Sequence, residues 1–122
     1  LGLERPVFIY DYPASQANLS RINQKNKLLS ERFELFFRGM ELGNGFHELA
    51  DADEQASRFE KENRLRAEGG KTPLPVDRDF LDGLASGLPD CAGIAIGFDR
   101  IVMLALDKTS ISEVTPFLWD RA

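Results

Sequence analysis

The segment from Arg32 to Leu42, with the glycines that follow it, constrains the fold more than any other part of the chain. Apolar residues alternate with polar ones along it, which is the period-two pattern of a half-buried strand. Phe36 interrupts the alternation, so both faces of the strand are expected to be partly covered. Asn44-Gly45 then predicts a tight hairpin, because both central residues of a type I′ turn need positive φ. We therefore predict an antiparallel β-hairpin that turns at Asn44-Gly45.

This predicted hairpin would create an acidic pair. A two-residue turn at Asn44-Gly45 places Glu41 directly opposite Glu48, with Phe46 on the same face. Like charges opposite each other destabilise a sheet, so a cation should offset them. A ligand ammonium beside the aromatic ring would suit, and so would Mg²⁺ held through phosphate oxygens. The alternative is that the carboxylates reach solvent or pair with Arg38 or another arginine.

The rest of the pattern predicts an α+β fold, an antiparallel sheet flanked by helices. Aspartates that can cap a helix precede several helix-like segments, and Gly-Pro-rich stretches separate them. The predicted elements are a strand at 7–10 ending near Pro13, a loop with one helical turn at 14–30, helices at 51–68 and from Asp77 to near Gly87, a strand at 92–98, a helix capped by Asp99, and an apolar end at 117–119 docked on the core.

A second candidate site lies between Gly93 and Arg100. Glycine and alanine leave the predicted strand bare, so a flat ligand could approach its backbone. Arg100 falls in the first turn of the following helix, where cations are disfavoured, so it should have a partner. A guanidinium there could stack on a base or grip a phosphate. The alternative is close packing of helix on strand; the segment is neither a Walker loop nor a dinucleotide fingerprint.

Composition excludes several classes of function. The 122 residues suit one domain, and no apolar run is long enough to span a bilayer. One cysteine and one histidine exclude an internal disulfide and a cysteine- or histidine-rich metal site. A net charge of −5 argues against a general nucleic-acid surface. We expect His47 to be structural, on the face opposite Glu48, Cys91 to be a buried inert thiol, and the protein to be cytoplasmic.

Two strings in the sequence resemble a known family. ELGNGFHELADADEQASRF, from Glu41 to Phe59, is similar to the active-site strands and following helix of class II lysyl-tRNA synthetases. GIAIGFDRIVML, from Gly93 to Leu104, resembles their third signature motif. The ending WDRA and Ala95, where these synthetases carry glycine, resemble the branch that modifies elongation factor P. There the alanine narrows the pocket and goes with a preference for (R)-β-lysine over α-lysine.

The resemblance implies a reaction and a set of roles. Lysine or (R)-β-lysine would be activated by ATP and Mg²⁺ as the aminoacyl-adenylate, then transferred to a lysine of elongation factor P, with no tRNA. The implied ATP-binding residues are Glu41, Leu42, Gly97 and Arg100, of which Arg100 and Glu41 are also the implied catalytic residues. The implied substrate-binding residues are Glu48, Asn44, Phe46 and Ala95. The implied metal ligands are Glu41 and Glu48.

The resemblance also implies that residues 1–122 are the C-terminal portion of a class II synthetase-like catalytic domain. The family's dimer-forming first motif and its ATP-gripping Arg-x-Glu second motif are not found, since Arg32 and Glu34 fall in the wrong place. We therefore expect a homodimeric full-length protein and an isolated fragment that is inactive. The alternatives are the C-terminal fragment of a lysyl-tRNA synthetase and a non-catalytic module that binds lysine and ATP.

Overall fold

A computed structural model of the protein describes residues 1–118, in which four strands form one antiparallel sheet. The strands are β1 (Val7–Pro13), β2 (Leu29–Phe37), β3 (Met40–His47) and β4 (Ala92–Ile96), and each pairs with the next along the chain. Ala14–Gln16 forms the predicted helical turn between β1 and β2. The α+β class with an antiparallel sheet is confirmed.

Three helices accompany the sheet: α1 (Ala52–Glu68), α2 (Arg78–Ala85) and α3 (Phe98–Ala105). The predicted caps of the first two are confirmed, since the carboxylates of Asp51 and Asp77 each accept a backbone N–H three residues later at 2.9 Å. The predicted cap of the third is wrong. Helix α3 begins after Gly97, without a side-chain cap, and Asp99 lies within its first turn.

The turn between β2 and β3 lies at Arg38-Gly39, not at Asn44-Gly45 as predicted. Arg38 and Gly39 have φ of 49° and 78°, the positive values that a type I′ turn requires. Gly45 lies inside β3, opposite Phe33 of β2. A Cβ at Gly45 would stand 2.3 Å from Cζ of the Phe33 ring, so glycine is needed here for close approach.

A β-bulge at Leu42 changes which residues of β3 share a face. Leu35 lies opposite Gly43, and the next residue of β2, Phe36, lies opposite Glu41, which leaves Leu42 without a partner. Side chains alternate along a strand, so this extra residue brings Glu41 onto the same face as Asn44. We call this side of the sheet the front face; it carries Arg32, Glu34, Glu41, Asn44, Phe46 and Ala95. The opposite side, the back face, carries Phe8, Tyr10, Phe33, His47, Ile94 and Ile96.

The buried apolar core of the described residues is small: Ala17, Leu42, Leu49, Leu84 and Met103. Large apolar side chains on the back face, such as Tyr10 and Ile96, are instead exposed. Phe117 is 86% exposed, so its predicted docking on the core is wrong. Trp119 and the WDRA ending, residues 119–122, lie outside the described residues. Within residues 1–118, no helix combines the length and the apolar character that crossing a membrane requires.

Candidate active site

Glu48 follows β3 directly, and its carboxylate lies over β4, the strand at the edge of the sheet. A Cβ at Gly93 would lie only 2.5 Å from Oε1 of Glu48, so the carboxylate occupies the space that a larger residue at 93 would fill. Within residues 1–118, no hydrogen bond or ion pair reaches this carboxylate, although the residue is half-buried. The charge of Glu48 is therefore available to a cationic ligand.

Strand β4 forms a bare floor beside Glu48. Gly93 lies opposite Phe46, and Ala95 lies opposite Asn44, so β4 presents only small residues to the front face. The side-chain oxygen Oδ1 of Asn44 accepts a hydrogen bond from Nε of Arg32 at 3.1 Å, which orients the Asn44 side-chain amide. The four predicted substrate-binding residues, Glu48, Asn44, Phe46 and Ala95, are thus brought together on one face.

A buried ionic network next to this floor was missed by the sequence analysis. Glu34 is only 8% exposed; it pairs with Arg32 and accepts a hydrogen bond from the Tyr12 hydroxyl at 2.6 Å. Burial, and then this hydrogen bond to Glu34, raise the pKa of Tyr12 to about 12. The Arg32 guanidinium lies 4.6 Å from the centre of the Tyr12 ring. Polar alternation along β2 indicated a solvated face, and nothing in it showed that Glu34 would be buried.

The other end of the front face holds the predicted ATP-binding residues. Arg100 donates from Nη1 to the backbone oxygen of Glu41 at 2.7 Å, and the same nitrogen lies 4.0 Å from the Glu41 carboxylate. The backbone N–H of Gly97 donates to the oxygen of Leu42 at 2.9 Å, which extends the β3–β4 pairing past the bulge. Of these four residues, Glu41 and Arg100 line an open depression of about 490 Å³ whose other walls include Phe36 and Met103.

The predicted opposition of Glu41 and Glu48 is wrong. Glu41 lies opposite Phe36, and the backbone of Glu48 forms an isolated antiparallel β-bridge with Ser20. They share the front face but stand at opposite ends of it, roughly 20 Å apart at ~3.3 Å per residue. The implied roles of Glu41 and Glu48 as metal ligands are therefore two separate predictions. Across residues 1–118, no group of three or more histidine, cysteine, aspartate or glutamate residues is arranged to hold a metal ion.

The acidic residue that does adjoin Glu41 is Glu34. Glu34 lies two residues before Phe36 on β2, and Phe36 is the partner of Glu41, so the two glutamates are diagonal neighbours on the front face. The charges of both help to raise the pKa of Tyr12. Both oxygens of Glu34 are engaged by Tyr12 and Arg32, so of the two carboxylates Glu41 is the one open to Mg²⁺, with water or phosphate oxygens completing its shell.

The back face carries a second polar cluster, centred on His47. Nδ1 of His47 lies 2.5 Å from Glu31, and Nε2 lies 2.7 Å from Asp90, which also pairs with Arg21 at 2.6 Å. The hydrogen bond to Asp90, more than that to Glu31, raises the pKa of His47 above its ordinary value. His47 thus lies on the face opposite Glu48, as predicted. Cys91, expected to be buried, is only half-buried.

Comparison with known proteins places this sequence in a family. The family model for class II tRNA synthetases (D, K and N) matches residues 2–120, nearly the whole chain. The chain belongs to this family. The sheet, the Glu41-to-Phe59 string and the Gly93-to-Leu104 string all fall inside the matched region.

Among curated relatives, the chain is similar to proteins named elongation factor P–(R)-β-lysine ligase. Those of Salmonella dublin, Salmonella paratyphi B and Salmonella heidelberg are each 53% identical to it over 122 residues. The match covers 100% of this chain but 38% of each relative. The chain thus spans less than half the length of these relatives.

Proposed function

We propose that this chain supplies the amino-acid pocket and part of the ATP site of a ligase that modifies elongation factor P. The ligase would activate (R)-β-lysine or lysine as the aminoacyl-adenylate and transfer it to a lysine of elongation factor P. One observation carries the proposal. The unpaired carboxylate of Glu48 lies at one end of β4, Arg100 follows its other end, and β4 presents only small side chains to the front face between them. The names of the relatives supply the acceptor and the preferred amino acid.

Glu48 would bind the ammonium group of the amino acid. Its carboxylate has no protein partner in the described region, and Phe46 lies two residues before it on the front face, so Coulomb attraction and a cation–π contact would act together. Asn44 and Ala95 would line the path from this ammonium site toward the centre of β4. The floor from Gly93 to Gly97 is roughly 13 Å long at ~3.3 Å per residue, which leaves room for an extended lysine chain.

Arg100 and Gly97 would hold the nucleotide at the far end. The guanidinium can stack on adenine or contact phosphate, and Gly97 keeps the backbone open to both. Glu41 fits Mg²⁺ arriving with ATP, because its side chain is partly exposed and no group within hydrogen-bond distance holds its carboxylate among the residues described. Bound Mg²⁺ would neutralise phosphate charge. Glu48, implied as the second metal ligand, lies at the other end of the face, so a metal that it holds would be a separate ion.

The chemistry asks these side chains for position and charge rather than for a nucleophile. A carboxylate oxygen of the amino acid would attack the α-phosphorus of ATP, forming the adenylate as pyrophosphate leaves. The ε-amine of the acceptor lysine would then attack the carbonyl carbon, losing a proton as AMP departs. Holding the two substrates end to end on one face accounts for acceleration by proximity and electrostatic stabilisation.

The test is ATP–pyrophosphate exchange by the full-length gene product with (R)-β-lysine and with α-lysine. We expect exchange that depends on the amino acid and is faster with (R)-β-lysine, followed by a mass increase on elongation factor P. Efficient charging of tRNA with α-lysine would instead assign a lysyl-tRNA synthetase. Tight binding of lysine and ATP without exchange would assign a non-catalytic binding module.

The amino-acid preference can be tested separately at Ala95. Replacing Ala95 with glycine removes one methyl from the pocket floor, and a methyl is worth about 1–3 kcal/mol of discrimination. Ala95→Gly should therefore move the ratio of kcat/KM toward α-lysine by about tenfold or more. Ala92→Gly, on the back face of the same strand, is the matched control and should leave the ratio unchanged.

A further inference from the structure

Arg21, which neither the sequence analysis nor the proposed reaction uses, encloses the backbone of Glu48. The backbone N–H of Arg21 donates to the oxygen of His47 at 2.9 Å. Its side-chain Nε donates to the oxygen of Glu48 at 2.8 Å. One residue therefore binds two consecutive carbonyls of the segment that carries the candidate amine-binding carboxylate.

Cys91, on the side of β4, and Leu19, on the same side as Arg21, hold this segment as well. The N–H of Glu48 donates to the oxygen of Cys91 at 3.0 Å, and the N–H of Leu49 donates to the oxygen of Leu19 at 2.9 Å. Both backbone groups of Glu48 are thus engaged, while its carboxylate is left over Gly93 for a ligand. Of these contacts, the one from Nε of Arg21 is made by a side chain and can be removed without altering the main chain.

Asp90 fixes the direction of the Arg21 guanidinium. Oδ1 of Asp90 lies 2.6 Å from Nη2 of Arg21 and 2.7 Å from Nε2 of His47, while Nδ1 of His47 contacts Glu31. Two carboxylates therefore face one guanidinium and one imidazole on the back of the sheet. Their charges offset the cation of Arg21, so it does not compete with a ligand ammonium for the Glu48 carboxylate.

We propose that Arg21, oriented by Asp90, is a positioning residue that sets the direction of the Glu48 carboxylate toward the amine of the substrate. The inference rests on the proposed function in taking Glu48 as the amine-binding group. It predicts an effect confined to the amino acid, because Arg21 contacts nothing at the Glu41–Arg100 end of the face among the residues described.

The test is Arg21→Gln in the full-length gene product, measured by ATP–pyrophosphate exchange. We expect the KM for (R)-β-lysine to rise at least tenfold and the KM for ATP to stay within twofold. The matched control is Arg58→Gln. Arg58 also donates to two backbone oxygens, those of Asn18 and Ser20, both at 2.8 Å, and these lie in the loop that contains Arg21. Arg58→Gln should lower the melting temperature without separating the two KM values. An equal change in both KM values for Arg21→Gln, or the same separation for Arg58→Gln, would overturn the inference.

A second variant keeps the test decisive if Arg21→Gln folds poorly. Asp90 is an exposed residue, so Asp90→Ala should fold, and it should raise the KM for the amino acid by a smaller factor. The effects of Arg21→Gln and Asp90→Ala on that KM should be less than multiplicative, since both act through one guanidinium. Unchanged KM in Asp90→Ala would overturn the role given to Asp90.

Hydrogen exchange separates this inference from the proposed function. In Asp90→Ala and Arg21→Gln, the Glu48 amide should exchange at least tenfold faster than in the parent protein, whether or not the protein is a ligase. If the parent protein shows no ATP–pyrophosphate exchange that depends on the amino acid, the proposed function is contradicted. Faster hydrogen exchange of the Glu48 amide in the two variants would still support the positioning role of Arg21. An unchanged amide exchange rate at Glu48 would overturn positioning whatever the activity.

Discussion

Glu48 combines a held backbone with an unpaired carboxylate, which is the arrangement expected of a group that binds a cation. Its N–H and C=O are both hydrogen-bonded, and glycine beneath it leaves its side chain room. Glu34, by contrast, is buried and already satisfied by Tyr12 and Arg32. Two glutamates on one face thus have different capacities for ligands because their surroundings differ.

Replacing Glu48 with glutamine should remove recognition of the amine while leaving the fold intact. Loss of one partner of a hydrogen-bonded charge pair costs about 2–5 kcal/mol, so the KM for the amino acid should rise by about 30-fold or more. The melting temperature should change little, because no protein group described here pairs with the carboxylate. Glu60→Gln, an exposed change on α1, is the control. Unchanged affinity for the amino acid in Glu48→Gln would contradict the pocket assignment.

At the scale of elements, the glycines of β3 and α2 have opposite roles. A Cβ at Gly45 would meet the Phe33 ring at 2.3 Å and the backbone oxygen of Gly93 at 2.8 Å, whereas one at Gly83 would meet nothing within 4 Å. Gly45→Ala should therefore lower the free energy of unfolding by about 1–3 kcal/mol through overpacking. Gly83→Ala, inside a helix, should raise it by about 0.5–1 kcal/mol. Urea denaturation of both variants checks the pair, and equal effects would be inconsistent with this packing.

The His47 cluster joins β2, β3 and the segment before β4, and it should make stability depend on pH. Hydrogen bonds to Asp90 and Glu31 raise the pKa of folded His47 above 6.5, and Arg21 opposes this. The stabilisation that protonated His47 gains from these two carboxylates is therefore fully present below pH 6.5 and is lost as the pH rises through the raised pKa of His47. The free energy of unfolding, measured by urea denaturation from pH 6 to 9, should fall across this range. His47→Gln should remove that fall; an identical slope in the variant would refute the link.

The elements could be predicted where the signal is local. Asp51 and Asp77 cap helices three residues ahead, and Val7 to Tyr10 form a β-branched and aromatic run; each pattern lies within one short window of sequence. The position of the β2–β3 turn could not be read in this way. Asn44-Gly45 carries the stronger turn signal, but Gly45 is required by the Phe33 ring of another strand, and that contact exists only after pairing.

The candidate site was predicted in part for the same reason. The residues at each of its ends are close in sequence or follow one motif, and the structure brings them together as expected. The turn lies at Arg38-Gly39, so the predicted opposition of Glu41 and Glu48 was wrong, while their roles as metal ligands remain predictions. Burial of Glu34 depends on Tyr12 from β1, and the contact of Arg21 with Glu48 spans 27 residues. Such long-range contacts leave no periodic trace in the sequence.

The whole molecule exposes more surface than its mass would suggest. Its accessible surface is 9005 Å², against about 6,600 Å² for a compact monomer of this mass by the usual scaling. The excess includes apolar side chains of the back face, and the relatives that share this sequence are more than twice as long. In such relatives, further chain is available to cover this face.

The 122-residue chain by itself should behave as a protein with open apolar surface. Phe8, Tyr10, Ile94 and Ile96 are 56%, 71%, 45% and 51% exposed on the back face. We expect it to bind the dye ANS at neutral pH and to associate as its concentration rises, measured by fluorescence and light scattering. The double variant Ile94→Thr, Ile96→Thr should weaken both signals. A chain that stays monodisperse and does not raise ANS fluorescence would contradict the exposure of the apolar back face.

The bulge at Leu42 has a consequence for how the gene can vary. The unpaired residue puts Glu41, three residues before Asn44, on the front face, so a flat ladder of the same length would turn Glu41 to the back face. Loss of the single codon for Leu42 would instead give a regular ladder in which Glu41 still lies opposite Phe36 and on the same face as Asn44. Selection on this stretch therefore couples the parity of its length to the presence of the bulge.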